Sequence, residues 1–301
     1  MLVLLDQPSQ RKALAPFISG TNGHVVMGGV LAGLQCGRVY ADQRHAPKSA
    51  LIWAKNEMFY LIGRSDNERF NSLVRQTLVQ ELLPEALDAG EDMLNLEVYS
   101  ERGSEWSPVL HHMFDERLCE GVRVPFQFNL AKYEKWLESS SNPSLSYGSN
   151  SSSSSSSLSI FPGYALQVID RAVMVEDKSH IIEHEILKFW HSVDDFIRYG
   201  VGTCVVYEGK VVGTCISVFV SGIHHETGIH TYERVHRGKG LATAMASAYV
   251  RLVLEQGCVP HWTTEDFRQD SIVIAGKLGF EQGSTYPAYY MPIREILDCC
   301  E

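Results

Sequence analysis

The sequence predicts an α+β protein in two parts, a smaller α+β N-terminal domain followed by a domain whose mixed central sheet is flanked by helices. Three observations lead there. A chain of 301 residues exceeds the usual span of one domain, so two domains of roughly 150 residues each are expected. In residues 139–157 thirteen of nineteen positions are Ser, with Pro, Gly and Asn among the rest, which is the composition of a flexible tether. Beyond that tract the apolar pattern switches between strand and helix periods around one glycine-rich loop. The expected boundaries are therefore 1–138 for the first domain, 139–159 for the linker and 160–301 for the second domain.

In the first half, Val39-Tyr40-Ala41-Asp42, Ser49-Ala50-Leu51-Ile52-Trp53 and Glu57-Met58-Phe59-Tyr60-Leu61-Ile62 read as short strands separated by turn residues. Residues 67–87 then carry helical apolar spacing at Phe70, Leu73, Val74, Leu78, Leu82 and Leu83. This half has no glycine-rich phosphate loop and no acid and base at motif spacing, so its expected role is structural or substrate-shaping.

In the second half, residues 201–206 and 211–220 are β-rich runs joined by Tyr207-Glu208-Gly209-Lys210, a hairpin signal. A third strand over 226–231 runs into Arg237-Gly238-Lys239-Gly240-Leu241-Ala242. From there residues 241–255 read as a helix with Ala, Met and Leu on its inner face and Gly257 as its stop. Pro260-His261-Trp262-Thr263 is the next strand, and residues 271–278 form a second helix ending at Gly279.

Composition narrows the function. With 45% hydrophobic and 21% charged residues the chain is of the ordinary globular class, and its formal net charge of −10 argues against nucleic acid, whose binding needs clustered Lys and Arg. An acidic surface tolerates cationic, amine-bearing ligands instead. No apolar run approaches the ~20 residues of a membrane span. The start Met1-Leu2-Val3-Leu4-Leu5-Asp6 lacks the basic region of a signal peptide. Seven cysteines with no CxxC pair suit a reducing cytoplasm, the expected location, and Cys299 and Cys300 read as incidental thiols. None of the twelve histidines falls at a metal-ligand spacing, so no metal is expected.

The glycine loop carries the chemistry. Between a strand and a helix, Gly-x-Gly lets the backbone approach a ligand closely, and the helix N-terminus offers unpaired N–H groups and a positive dipole end to a pyrophosphate. Arg237 and Lys239 add charge. A P-loop would need Gly-Lys followed by Ser or Thr, and a dinucleotide fingerprint would need Gly or Ala where Thr243 stands. Arg237-Gly238-Lys239-Gly240-Leu241-Ala242 instead resembles the Arg/Gln-x-x-Gly-x-Gly/Ala signature of the GNAT superfamily of N-acetyltransferases. Lys277-Leu278-Gly279-Phe280 resembles that family's closing motif.

A closer resemblance, to the two-part GNAT acetyltransferases that include the zwittermicin A resistance type, rests on three segments. These are Trp190-His191-Ser192-Val193-Asp194-Asp195-Phe196 with Gly200-Val201-Gly202, Glu226-Thr227-Gly228-Ile229-His230-Thr231, and Pro260-His261-Trp262 with Ser271. Gly37-Arg38-Val39-Tyr40-Ala41-Asp42, Pro47-Lys48-Ser49-Ala50 and Asn67-Glu68-Arg69-Phe70 extend it loosely into the first half. The serine tract has no counterpart.

The resemblance implies acetyl-coenzyme A as co-substrate, with pantetheine paired along Ile229, His230 and Thr231. It places the pyrophosphate on Arg237, Gly238, Lys239, Gly240, Leu241 and Ala242, with Ser271 and Lys277 contributing. It also implies an acceptor that is a small-molecule amine. An alkylamine with a pKa near 10.4 loses its proton at pH 7 at a cost of about 4.6 kcal/mol, so a base is useful. Glu226 is the candidate, with His230 on the same strand face as the better of the alternatives His224, His225 and His230. Backbone N–H groups of residues 229–232 are the expected oxyanion donors. The family's thiolate-protonating tyrosine is absent, since Ala275 occupies that position; Ser271, Tyr286, Tyr289, Tyr290 and solvent are the alternatives. Trp106, Trp190 and Trp262 are candidates for pocket walls, with core packing as the stronger expectation. Two rival functions stay open: a non-catalytic acyl-coenzyme A sensor, and an acyltransferase using a longer chain or a protein amine.

Overall fold

Non-local strand pairing, rather than the serine tract, sets the division of the chain. In the computed structural model, which describes residues 1–18, 24–99, 105–139 and 158–298, two units separate. One is Met1–Arg123 with Thr285–Glu301, the other Val124–Ser284. These borders differ from those drawn at 138 and 160. Residues 124–138 belong to the second unit, and the last strand of the chain returns to the first. Most of the serine tract, and Cys299 and Cys300, lie outside the described residues.

The first unit holds strands β1 (Val3–Leu4), β2 (Gly37–Ala41), β3 (Ser49–Ala54), β4 (Met58–Gly63) and β5 (Met93–Tyr99), with residues 119–123 of β6 (Cys119–Phe128). The three predicted strands appear within two residues of their expected ends. All six residues of β3 are buried, as are five of the six in β4, so both read as continuous apolar runs covered on two faces. The predicted helix over 67–87 is present as Glu68–Thr77 and Leu83–Asp88 joined by one wide π turn, Leu78–Leu82. Asn67 caps it by accepting the Phe70 N–H at 3.2 Å. Pro84 lacks the N–H needed to continue the α ladder, which accounts for the wide turn. Phe70, Val74, Leu78 and Leu82 close over Trp53, Phe59, Trp106 and Tyr289 in one core.

The remaining strands are β7 (Leu158–Phe161), β8 (Tyr164–Val168), β9 (Gly202–Tyr207), β10 (Lys210–Ser221), β11 (His224–Thr231), β12 (Val259–Glu265), β13 (Phe280–Gln282) and β14 (Tyr286–Pro292). Of these β14 belongs to the first unit and pairs there with β5 and β6. The second unit orders its sheet β12-β11-β10-β9-β8-β7, antiparallel except for the parallel pair β11–β12. The predicted β9–β10 hairpin is present, with Glu208 and Gly209 at positive φ in its turn. The helix Leu241–Glu255 has the predicted bounds; it lays Leu241, Ala244, Met245, Tyr249, Val250 and Val253 on the sheet and stops before Gly257 at φ 72°. The second predicted helix begins two residues early, as Gln269–Lys277, and Gly279 at φ 83° follows it.

Candidate functional site

The parallel ladder between β11 and β12 is short. Pairs run from His224–Val259 through His225–Pro260 to Glu226–His261 and end there. At the parting point the Thr227 hydroxyl donates to the His261 carbonyl at 2.6 Å. On its other side β11 stays paired with β10 as far as Thr231–Gly213.

Alternation along a strand fixes which backbone groups face the parted edge. The Tyr232 N–H donates to Val212 at 3.1 Å, so even-numbered positions point toward β10. Ile229 and Thr231 therefore aim their N–H and C=O groups the opposite way. The Thr231 carbonyl accepts the Arg237 Nε–H at 3.1 Å. Ile229 and the Thr231 N–H thus lie along an edge that an extended ligand with amide groups can pair with. In the first unit the parallel pair β4–β5 instead stays in register from Phe59–Leu96 to Ile62–Tyr99, so among the described residues its ladder does not part in this way.

The glycine loop stands at the end of this edge. Gly238 and Gly240 adopt φ of 73° and 77°, the left-handed region in which a side chain is strained. A Cβ on Gly238 would meet nothing within 4 Å, so its backbone is open to a ligand. Gly240 is the N-cap of Leu241–Glu255 and provides no side-chain cap, leaving the amides of the first turn, from Leu241 through Ala242, to an external acceptor. Leu241 is buried and anchors the turn, while Arg237 and Lys239 are exposed beside it. An uncapped helix start, left-handed glycines and two cations together fit a pyrophosphate. Lys277 is exposed in the last turn of Gln269–Lys277 and makes no hydrogen bond or ion pair with the loop among the described residues.

Glu226, Gly228 and His230 share one face of β11. The other face meets the helix Leu241–Glu255, where His225 Nδ1 lies 2.9 Å from Ser217 Oγ and that hydroxyl 3.2 Å from the Tyr249 hydroxyl. Glu226 is buried, at 7% exposure, opposite Phe219 across a bulge at Val218. His230 shows much of its surface to solvent, yet desolvation of its ring lowers its pKa, outweighing the raising effect of the Glu185 carboxylate. At neutral pH it is an uncharged imidazole able to accept a proton. Its ring lies 4.9 Å from that of Tyr232, whose hydroxyl is 2.8 Å from Thr214 Oγ1 and whose pKa burial drives well up. Nothing in the sequence marks the Tyr232 side chain, since it stands just past a strand end at no motif spacing.

The other expected residues sit elsewhere. His224 Nδ1 lies 2.9 Å from His261 Nε2 at the paired end of the strands. Ser271 is buried and accepts the Trp262 indole N–H at 2.9 Å, tying β12 to the next helix, and Ala275 is fully buried in the core. Tyr286, Tyr289 and Tyr290 lie on β14 in the first unit, with Tyr289 in its core. Trp106, Trp190 and Trp262 are all buried, their indole N–H groups bonded to Gly63, Ser217 and Ser271, so each is a core residue rather than a pocket wall.

Burial lowers the His225 pKa to about 4, with the neighbouring His224 adding to the shift. A folded value below the unfolded 6.5 means that only the unfolded chain takes up this proton between those pH values. The contribution is complete above pH 6.5 and fades as pH falls toward 4, by about 3 kcal/mol at most. Thermal unfolding at pH 7 and 4.5 should show this loss, and His225→Asn should flatten it; an unchanged slope in that variant would assign the acid sensitivity to other groups.

Among the described residues no group of three or more His, Cys, Asp and Glu side chains is placed to hold a metal ion, and no helix is long and apolar enough to cross a membrane. Comparison with known proteins adds the following. Residues 15–289 match the model of the GNAT acetyltransferase family. The uncharacterised N-acetyltransferase YdfB of Bacillus subtilis (strain 168) is 24% identical over 254 residues, covering 84% of this chain and 85% of that protein. A GCN5-related N-acetyltransferase-like protein from Streptococcus suis 89/1591 shares the fold with a TM-score of 0.63 at 19% identity, covering 93% of this chain and 98% of its own. A tandem GNAT protein from the clavulanic acid biosynthesis pathway does so with a TM-score of 0.52 at 13% identity, covering 97% and 99%. With an α+β fold shared with these structures and a family match over nearly its whole length, the chain belongs to the GNAT acetyltransferase family, as a two-part N-acetyltransferase.

Proposed function

We propose that the enzyme transfers an acetyl group directly from acetyl-coenzyme A to a primary amine of a small molecule, such as an antibiotic or another amino compound. The observation that carries this reading is the parted edge of β11 leading to two left-handed glycines and an uncapped helix start. Bound there, the donor supplies a thioester whose acyl carbon is open to attack. Ile229 and Thr231 pair with the pantetheine amides and turn the thioester toward the Glu226 face. The first-turn amides with Arg237 and Lys239 hold the pyrophosphate. Glu226 takes the proton of the attacking amine, directly or through water, with His230 as the alternative base. The C–N bond forms as the C–S bond breaks, and the departing thiolate, with a thiol pKa near 8.5, takes its proton from solvent.

The buried Ala275, in place of the family's tyrosine, supports one second reading, an acyl-coenzyme A sensor without turnover. Both are tested by following free thiol release over a panel of amines, with coenzyme A binding measured calorimetrically on the same protein. Acetyl-coenzyme A with at least one small amine is expected to turn over. Binding with no amine above the hydrolysis rate would leave only the sensor. Preference for a longer acyl chain or for a protein amine would redirect the specificity.

A further inference from the structure

We propose that a buried hydrogen bond between Tyr164 and His236 clasps the glycine loop in its ligand-binding shape, making both of them positioning residues for the acyl donor. The inference rests on the donor reading above and extends it to residues outside the loop. The loop itself has little stiffness, because two of its residues are left-handed glycines. What surrounds it is stiff. His236 closes the short helical turn Arg234–His236 immediately before the loop, and its Nδ1 lies 2.9 Å from the Tyr164 hydroxyl. Tyr164 and His236 are 7% and 8% exposed, so water does not compete for this bond.

Tyr207 completes the cluster, with its ring centroid 4.5 Å from that of Tyr164 and 5.4 Å from that of His236. Phe161, on the partner strand of the same hairpin, lies 3.5 Å from where a Gly240 Cβ would stand. The loop is therefore held at both ends by one hairpin, β7–β8, while Lys239 Nζ rests 5.7 Å above the Tyr164 ring. That hairpin is already built by its backbone pairing and packing, and the hydroxyl-to-imidazole bond adds only a fixed distance to the loop. Preorganising a loop reduces the ordering cost of binding, so the effect belongs in donor affinity rather than in turnover.

The test is a double-mutant cycle on the full chain, read by calorimetric Kd for coenzyme A, KM for acetyl-coenzyme A, kcat and Tm. Tyr164→Phe and His236→Phe each remove the bond and keep an aromatic ring. Each is expected to raise Kd and donor KM about tenfold, with saturated kcat within about twofold, and the double variant should be no worse than either single one. Donor affinity within twofold of wild type in both, or effects that simply add, would overturn the clasp. So would a drop in Tm that lowers kcat and affinity in parallel, since that marks a packing role. If one variant does not fold, the other reads the same bond from its opposite end. Wild-type protein that does not bind coenzyme A would instead remove the donor reading and the clasp with it.

Discussion

Gly240→Glu is expected to abolish donor binding, raising the Kd for coenzyme A by at least ~100-fold, or more than about 2.7 kcal/mol. Two effects act together. The residue sits at φ 77°, where any L side chain is strained, so the helix start must shift to accept one. The new carboxylate also stands at the uncapped first turn of Leu241–Glu255, where it would accept the amides meant for the pyrophosphate and repel its charge. Contact with Phe161, at 3.5 Å from the new Cβ, is ordinary and adds little. Gly240→Ala separates the two effects, because it keeps the strain and omits the charge; it should weaken binding far less. Titration calorimetry of both variants against coenzyme A is the measurement, and wild-type affinity in Gly240→Glu would refute this placement of the pyrophosphate.

Glu226→Gln is expected to lower kcat by about 100-fold at pH 7, within the range that general-base catalysis contributes, while leaving coenzyme A affinity unchanged. The substitution keeps the volume of a buried side chain and removes only its ability to take a proton. An amine with a pKa near 10.4 is already neutral above that pH, so the variant should approach wild-type turnover there. A pH profile of kcat with an amine acceptor decides it. A deficit that is equal at all pH values would show that Glu226 shapes the pocket without acting as a base, and would move the role to His230.

Much of the second unit was legible because its signals are local. The hairpin turn, the glycine loop, the helix from Leu241 to Glu255 and its glycine stop each depend on residues adjacent in sequence, and each appears close to its expected place. What could not be read depends on register and on distant partners. No spacing rule announces that the β11–β12 ladder ends at Glu226–His261, since the Thr227 hydroxyl finds the His261 carbonyl only after both strands are in place. The bulge at Val218 and the meeting of Tyr164 with His236, seventy-two positions apart, are invisible for the same reason. The unit borders were missed because composition marks a tether but cannot say which strands pair across it. The tryptophans show the opposite case, since bulk alone argued for core burial and that is where they lie.

The place of β14 bears on how the protein is made. It is an inner strand of the first unit, between β5 and β6, yet it leaves the ribosome only after the whole second unit has been synthesised. Until then the nascent first unit carries open strand edges on β5 and β6, the kind of surface that recruits stray strands. The order of translation and the order of folding therefore run opposite to one another: the second unit can close while the part made before it still waits for its last strand. Chaperone demand should fall on the N-terminal half, and splitting the gene at the serine tract would strand that half without the segment that completes it.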